Sequence, residues 1–158
     1  MTLPFSLPEN SKIVTGLIPQ AAAALIGDYV SLKNAHKCWI IIESSGTHAT
    51  AATFGVNEAA TVAPTGVAAI AALMPNWINN DTATTDTLVK GADAATVTTD
   101  GAATPKMIVI EVDPAILSAG CDCIAVDEGA SEATNVTSAI YILWERYKQA
   151  TPPSAILD

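Results

Sequence analysis

Apolar residues in this chain gather in short runs between polar turns, and four runs carry the strongest strand signals. Lys37-Cys38-Trp39-Ile40-Ile41-Ile42-Glu43 is β-branched and aromatic and stops at Ser44-Ser45-Gly46. Lys106-Met107-Ile108-Val109-Ile110-Glu111-Val112 stops at Asp113-Pro114, and Cys121-Asp122-Cys123-Ile124-Ala125-Val126 stops at Asp127-Glu128-Gly129. The fourth covers residues 136–144 and holds Ala139-Ile140-Tyr141-Ile142-Leu143. Each is short, rich in strand formers and bounded by turn residues. Weaker patterns of the same kind lie at residues 29–32, 49–56, 73–78, 85–90 and 95–99.

About eight short strands at this spacing predict a mainly β protein, an antiparallel β-sandwich or a jelly-roll-like barrel. One or two short helical turns are expected beside the strands. Residues 20–26 combine high helix propensity with Gly27 as a C-cap, although the same residues also suit a strand leading into Tyr29. Residues 114–120 suit one turn better, with Pro114 at the first position and Gly120 just past the end. Stretches rich in Ala, Val and Thr, at residues 59–72, 82–87 and 96–104, read as loops and edge strands.

The ends differ from the middle. Residues 1–12 carry Pro4, Pro8, Glu9 and Asn10 with little periodicity and read as an extended N-terminal arm. Residues 13–148 form a single β-sandwich domain, and residues 149–158 a proline-rich tail. In that tail Pro152 and Pro153 fix two φ angles and remove two backbone donors. Ile156 and Leu157 are apolar near the C-terminus, which suits an arm that docks on a neighbouring subunit.

Bulk properties narrow the function. At 158 residues the chain is long enough for one domain with its own core. Half of it is hydrophobic, but aromatics make up only 5 %, so small and β-branched residues must fill that core. The net charge of −9 and the scatter of the 7 basic residues argue against direct nucleic-acid binding, which needs clustered Lys and Arg. Three cysteines, Cys38, Cys121 and Cys123, do not make a disulfide framework and fit folding in a cytoplasm. The start lacks the basic and apolar regions of a signal peptide. The most apolar stretch, residues 67–74, is too short to span a bilayer, so no membrane contact is expected.

Chemistry is sparse. Only His36 and His48 are available as imidazole bases, and no Gly-x-Ser-x-Gly elbow accompanies them. Ser45 and His48 share a turn, yet no spacing holds an acid beside them. Cys121 and Cys123 form a Cys-x-Cys pair, poor chelate geometry for zinc, and buried small hydrophobes are the expected role. The carboxylates of Glu111, Asp113, Asp122, Asp127, Glu128 and Glu132 lack the loop of a calcium site and read as a solvated face. No nucleotide-binding glycine motif is present. Neither cofactor nor metal is expected, and the chain does not read as an enzyme. Trp39, Trp77 and Trp144 all fall in or beside predicted strands, where at least two should anchor the core. Trp144, with Tyr147 close behind it, marks the passage from domain to tail and is the best candidate for a subunit interface.

Several stretches then point to a family. Gly27-Asp28-Tyr29-Val30-Ser31-Leu32-Lys33-Asn34-Ala35-His36-Lys37-Cys38-Trp39 resembles a segment of small virion proteins of tailed phages and prophages. Asn80-Asp81-Thr82, Asp86-Thr87-Leu88-Val89, Cys121-Asp122-Cys123-Ile124 and the ending Tyr147-Lys148-Gln149-Ala150-Thr151-Pro152-Pro153-Ser154-Ala155 agree with it. The resemblance runs from Gly27 onward and leaves the first 26 residues uncovered. It implies a structural protein of the virion, first of all a head decoration (cement) protein on the capsid exterior. That protein would be made in the host bacterial cytoplasm, with the major capsid protein as its partner. A homo-oligomer is expected, a trimer favoured by lattice symmetry. Trp144, Tyr147, Pro152, Pro153, Ile156 and Leu157 are its candidate interface. A head–tail connector or tail-tube subunit is the alternative, and a carbohydrate-binding β-sandwich module a further one.

Overall fold

The computed structural model describes residues 6–21, 24–46, 50–129, 131–147 and 154–156, and within them the chain is mainly β. The long strands are β1 (Ser11–Ala21), β4 (Ala35–Ser45), β5 (Thr53–Ala59), β10 (Lys106–Val112), β11 (Cys123–Glu128) and β12 (Val136–Glu145). Shorter ones are β2 (Leu25–Ile26), β3 (Val30–Ser31), β6 (Ala68–Ala69), β7 (Asn76–Asn79), β8 (Val89–Lys90) and β9 (Thr96–Thr98). They form two antiparallel sheets. The first runs β1-β12-β4-β10-β7-β8. In the second, β11 and β5 lie side by side, with β2 and β3 along the free side of β11 and β6 and β9 along that of β5. The expected sandwich is what forms, with more and shorter strands than expected because the edges of the second sheet are broken.

The core follows from the two-residue period of the strand. In β4 every second residue, Cys38, Ile40 and Ile42, is fully buried, and in β10 Ile108, Ile110 and Val112 repeat the pattern. With Ala139, Tyr141 and Leu143 of β12 they meet Val30, Phe54, Val56, Ile124 and Val126 of the second sheet. Tyr141 joins the layers. Its hydroxyl accepts a hydrogen bond from the Val126 N–H at 2.9 Å, in the gap between β2 and β3 on the side of β11 away from β5. Two glycines make the room: a Cβ on Gly16 would lie 2.2 Å from the Tyr141 ring, and one on Gly27 2.6 Å from its hydroxyl.

Three expectations need correction. Of the two readings of residues 20–26, the described residues take the strand and not the helix. Gln20 and Ala21 end β1, paired with Thr137 and Val136, and Leu25–Ile26 is β2, while residues 22–23 lie outside the described residues. Pairing to β12 overrides alanine's preference for helix. Residues 13–19, outside every expected strand, are most of β1, and Ile13-Val14-Thr15 is the β-branched signal for it. The described part of the N-terminal arm is not extended either. Leu7–Asn10 is one helical turn, with Pro8 suited to its start and the Asn10 side chain donating to the Ser6 carbonyl at 2.6 Å. The turn expected after Pro114 forms as a 3-10 helix over Pro114–Ile116, where the Asp113 side chain accepts from the Ala115 N–H.

Candidate functional site

The two faces of the first sheet are both apolar. In β4, β10 and β12 the residues between the core positions are Trp39 and Ile41, Val109 and Glu111, and Ile140 and Ile142, so that Glu111 is the one charge among six. Register aligns them on the outer surface. Ile140, Ile41, Val109 and Trp77 make one row across four strands, and Ile13, Ile142, Trp39 and Glu111 make the next. Ile13 and Ile140 are almost half exposed, at 47 % and 45 %. A sheet already packed on one face ordinarily turns polar side chains outward on the other, and this one does not.

At one end of the face Trp144 and Trp39 stack, ring centroids 6.4 Å apart and planes 25° from parallel, with His36 edge-on to Trp144 at 5.9 Å. Leu7, Ser11, Trp39, Ile142 and Trp144 line a pocket of about 370 Å³. Charges on the face are few and partly settled within the chain. Glu111 accepts from the Lys37 ammonium at 2.7 Å and from the Trp39 indole N–H at 2.8 Å. Glu43 stands exposed beyond Ile41 on the same strand.

The tryptophans therefore sit elsewhere than expected. Trp39 and Trp77 are half-buried and Trp144 exposed, all on the outer face, while Tyr29, Phe54 and Tyr141 are the buried aromatic side chains among the described residues. Of the candidate interface residues, Trp144 lies on this face, 48 % exposed, and Tyr147 just after β12 is 73 % exposed. Ile156 is exposed on the tail, and Pro152, Pro153 and Leu157 lie outside the described residues. The described part of the tail packs on its own domain. The Ser31 N–H donates to the Ala155 carbonyl at 2.8 Å, and Ala155 is buried beside a groove of about 530 Å³ along β1. Ile13, Ile41, Val109, Ile140 and Ile142 were missed as surface residues. Their signal was available: runs such as Ile40-Ile41-Ile42 are apolar at both parities, the mark of a strand covered on both sides.

Among the described residues, the groups read for catalysis or metal binding do not converge. His36 is exposed beside Trp144, Ser45 is exposed at the end of β4, and His48 lies outside the described residues. Cys38 and Cys123 are fully buried and Cys121 partly so, and burial pushes the Cys38 thiol far up. Among the described residues no three of His, Cys, Asp and Glu come together to hold a metal ion. The acidic residues are no single solvated face. Glu111 is half-buried on the first sheet, Asp122 pairs with Lys33 at 3.4 Å, and Glu128 is buried with one oxygen accepting from Ser131. Glu145 is buried near Lys12; burial pushes its carboxyl up and Lys12 opposes the shift. No helix among the described residues is long and apolar enough to cross a membrane.

No family model and no curated protein matches the chain. Two solved structures resemble it distantly. The SPBc2 prophage-derived protein YomS is 11% identical, with 84% of this chain and 92% of that one covered and a TM-score of 0.45. The Tobacco streak virus coat protein, solved as a dimer, is 13% identical, with 97% and 94% covered and a TM-score of 0.33. Likenesses this distant say nothing of what this chain does.

Proposed function

We propose that the chain is a non-enzymatic structural protein of a tailed-phage virion, and within it a head decoration protein that binds and stabilises the major capsid protein lattice. The observation that carries this reading is the outer face of the first sheet. The molecule holds a complete core between its sheets and still presents a second apolar surface several strands wide. Surfaces of that kind are sites of association. The resemblance of residues 27–39 and the later stretches to virion proteins supplies the setting. Lattice binding suits such a surface, because modest contacts repeated over many copies gain strength through multivalency. In this reading the protein acts as an oligomer, a trimer being the form that lattice symmetry favours, and Trp144, Tyr147 and the tail join the contacts.

Cryo-electron microscopy of intact virions tests the proposal. Density for this chain repeated over the capsid is the expected result, and a single ring at one vertex would replace decoration by the connector reading. Ile140→Glu, on the exposed face, should lower the number of copies per particle while leaving the fold intact. The stacked Trp39 and Trp144 favour a second reading, a carbohydrate-binding module. Against it, the Trp39 N–H is taken by Glu111 and the pocket offers sugar hydroxyls few partners. Glycan-array binding lost in Trp144→Ala would support it.

A further inference from the structure

We infer that the outer face of the first sheet is covered by a second copy of this chain, packed face to face about a two-fold axis that crosses β4 at Ile40. This rests on the reading above that the face is an association surface, and it gives that face to a second copy, leaving contact with the capsid to the rest of the surface. β4 is an inner strand of the sheet. Its outward side chains run Lys37, Trp39, Ile41, Glu43, a cation at one end, an anion at the other and apolar residues between. Reversing the strand about Ile40 places Lys37, whose ammonium also holds Glu111 of its own chain, opposite Glu43 of the second copy and Trp39 opposite Ile41, twice over by symmetry. The arrangement is self-complementary, as an isologous interface requires.

Neighbouring strands fit the same operation. On β12, Ile140 and Ile142 are in register with Ile41 and Trp39, so the reversal lays each over the other's counterpart. On β10, Val109 meets Glu111, whose two oxygens are already engaged by Lys37 and Trp39, so no unpaired carboxylate is buried. An axis running along the strands would instead set Lys37 on Lys37 and Glu43 on Glu43. Like charges exclude it.

Size sets the strength. Five strands at about 4.8 Å spacing and six residue steps at about 3.4 Å give a footprint of roughly 19 by 20 Å, or about 400 Å² per copy. Stable complexes bury about 800 Å² per partner, so this pair is a weak, concentration-dependent dimer. Its strength in an assembly comes from repetition. The free edge of β1 and the tail stay open for contacts of other symmetry.

Zero-length carbodiimide cross-linking of the full chain, read by peptide mass mapping beside sedimentation velocity, tests the register. Lys37 and Glu43 of one chain are about 20 Å apart along β4, too far to join within a chain, so a Lys37–Glu43 link reports a second copy. The Lys37–Glu111 link, across 2.7 Å, is the internal control. The expected result is a dimer that grows with concentration, carries the Lys37–Glu43 link and weakens about tenfold in Glu43→Lys. Near-ultraviolet circular dichroism shows whether that variant is folded, and the wild-type cross-link stands without it. A monomer at every concentration overturns the inference, as does a dimer without the link or one indifferent to Glu43→Lys. A monomer whose Ile140→Glu variant still loses its place on virions would sink the dimer and leave the virion reading standing. A linked dimer absent from virions would do the reverse.

Discussion

Replacing Tyr141 by phenylalanine removes one oxygen atom from the middle of the sandwich and little else. The ring keeps its place against Gly16, so no cavity opens. What is lost is the acceptor for the Val126 N–H, donated at 2.9 Å where neither β2 nor β3 reaches β11. A buried donor left unsatisfied costs about 1–3 kcal/mol. With a urea m-value of about 2 kcal/mol/M, the unfolding midpoint should fall by about 0.5–1.5 M. Thermal unfolding should drop by about 2–4 °C for each kcal/mol in a domain of this size. Burial pushes the Tyr141 phenol up, so the hydroxyl stays protonated and the loss should be the same at neutral and mildly alkaline pH. Gly16→Ala is the companion variant. Its Cβ has no room beside the ring, so it should destabilise more than the loss of the hydroxyl does. A Tyr141→Phe protein with the wild-type urea midpoint would refute the claim that this hydroxyl completes the β11 ladder.

Glu145 is a carboxyl that the fold makes easier to protonate, because burial outweighs the nearby Lys12. The folded state then binds a proton more tightly than the unfolded chain, and stability falls as pH rises through the raised pKa. Glu145→Gln removes that loss, so its gain in melting temperature over wild type should be larger at neutral pH than near about pH 4. Lys106 is fully buried and donates to the Asn80 carbonyl, Thr104 and Asp100. Lys106→Met takes one of two donors from the Asn80 carbonyl, which keeps the Thr104 hydroxyl, and leaves the half-exposed Asp100 without its cation, so calorimetry should show a loss of about 1 kcal/mol. Deleting residues 151–158 frees the Ser31 N–H and uncovers the site of Ala155, for a loss of about 1 kcal/mol with the fold kept. Unchanged copy number on virions after that deletion would take the tail out of assembly.

Strand identity was legible in the sequence wherever local chemistry decides it. Residues 37–43, 106–112 and 136–144 are β-branched or aromatic, end at turn residues and form β4, β10 and β12. The short turn after Pro114 is local in the same sense. β1 was harder to read. Its Gly16 and Pro19 look like breakers until one sees that Gly16 makes room for Tyr141 and that Pro19 sits exposed on an edge strand, inside the register shift between Leu17 and Gln20.

The candidate site was only half legible. An apolar residue at both parities of β4, β10 and β12 says that both sides of a strand are covered, but not by what. For one side the answer is the second sheet, whose place depends on pairings between residues far apart in the chain. Only the tertiary structure shows that Ile140 stands exposed and that Ile41 and Ile142 are half-buried on the outer face. It also shows that all three tryptophans face outward, because the register of β12 and β10 on β4 assigns each side chain to its layer. The sequence by itself determined which segments become strands, since propensity and turns act over a few residues. Which face each strand turns to the core, and hence which surface is left for a partner, was decided by long-range pairing.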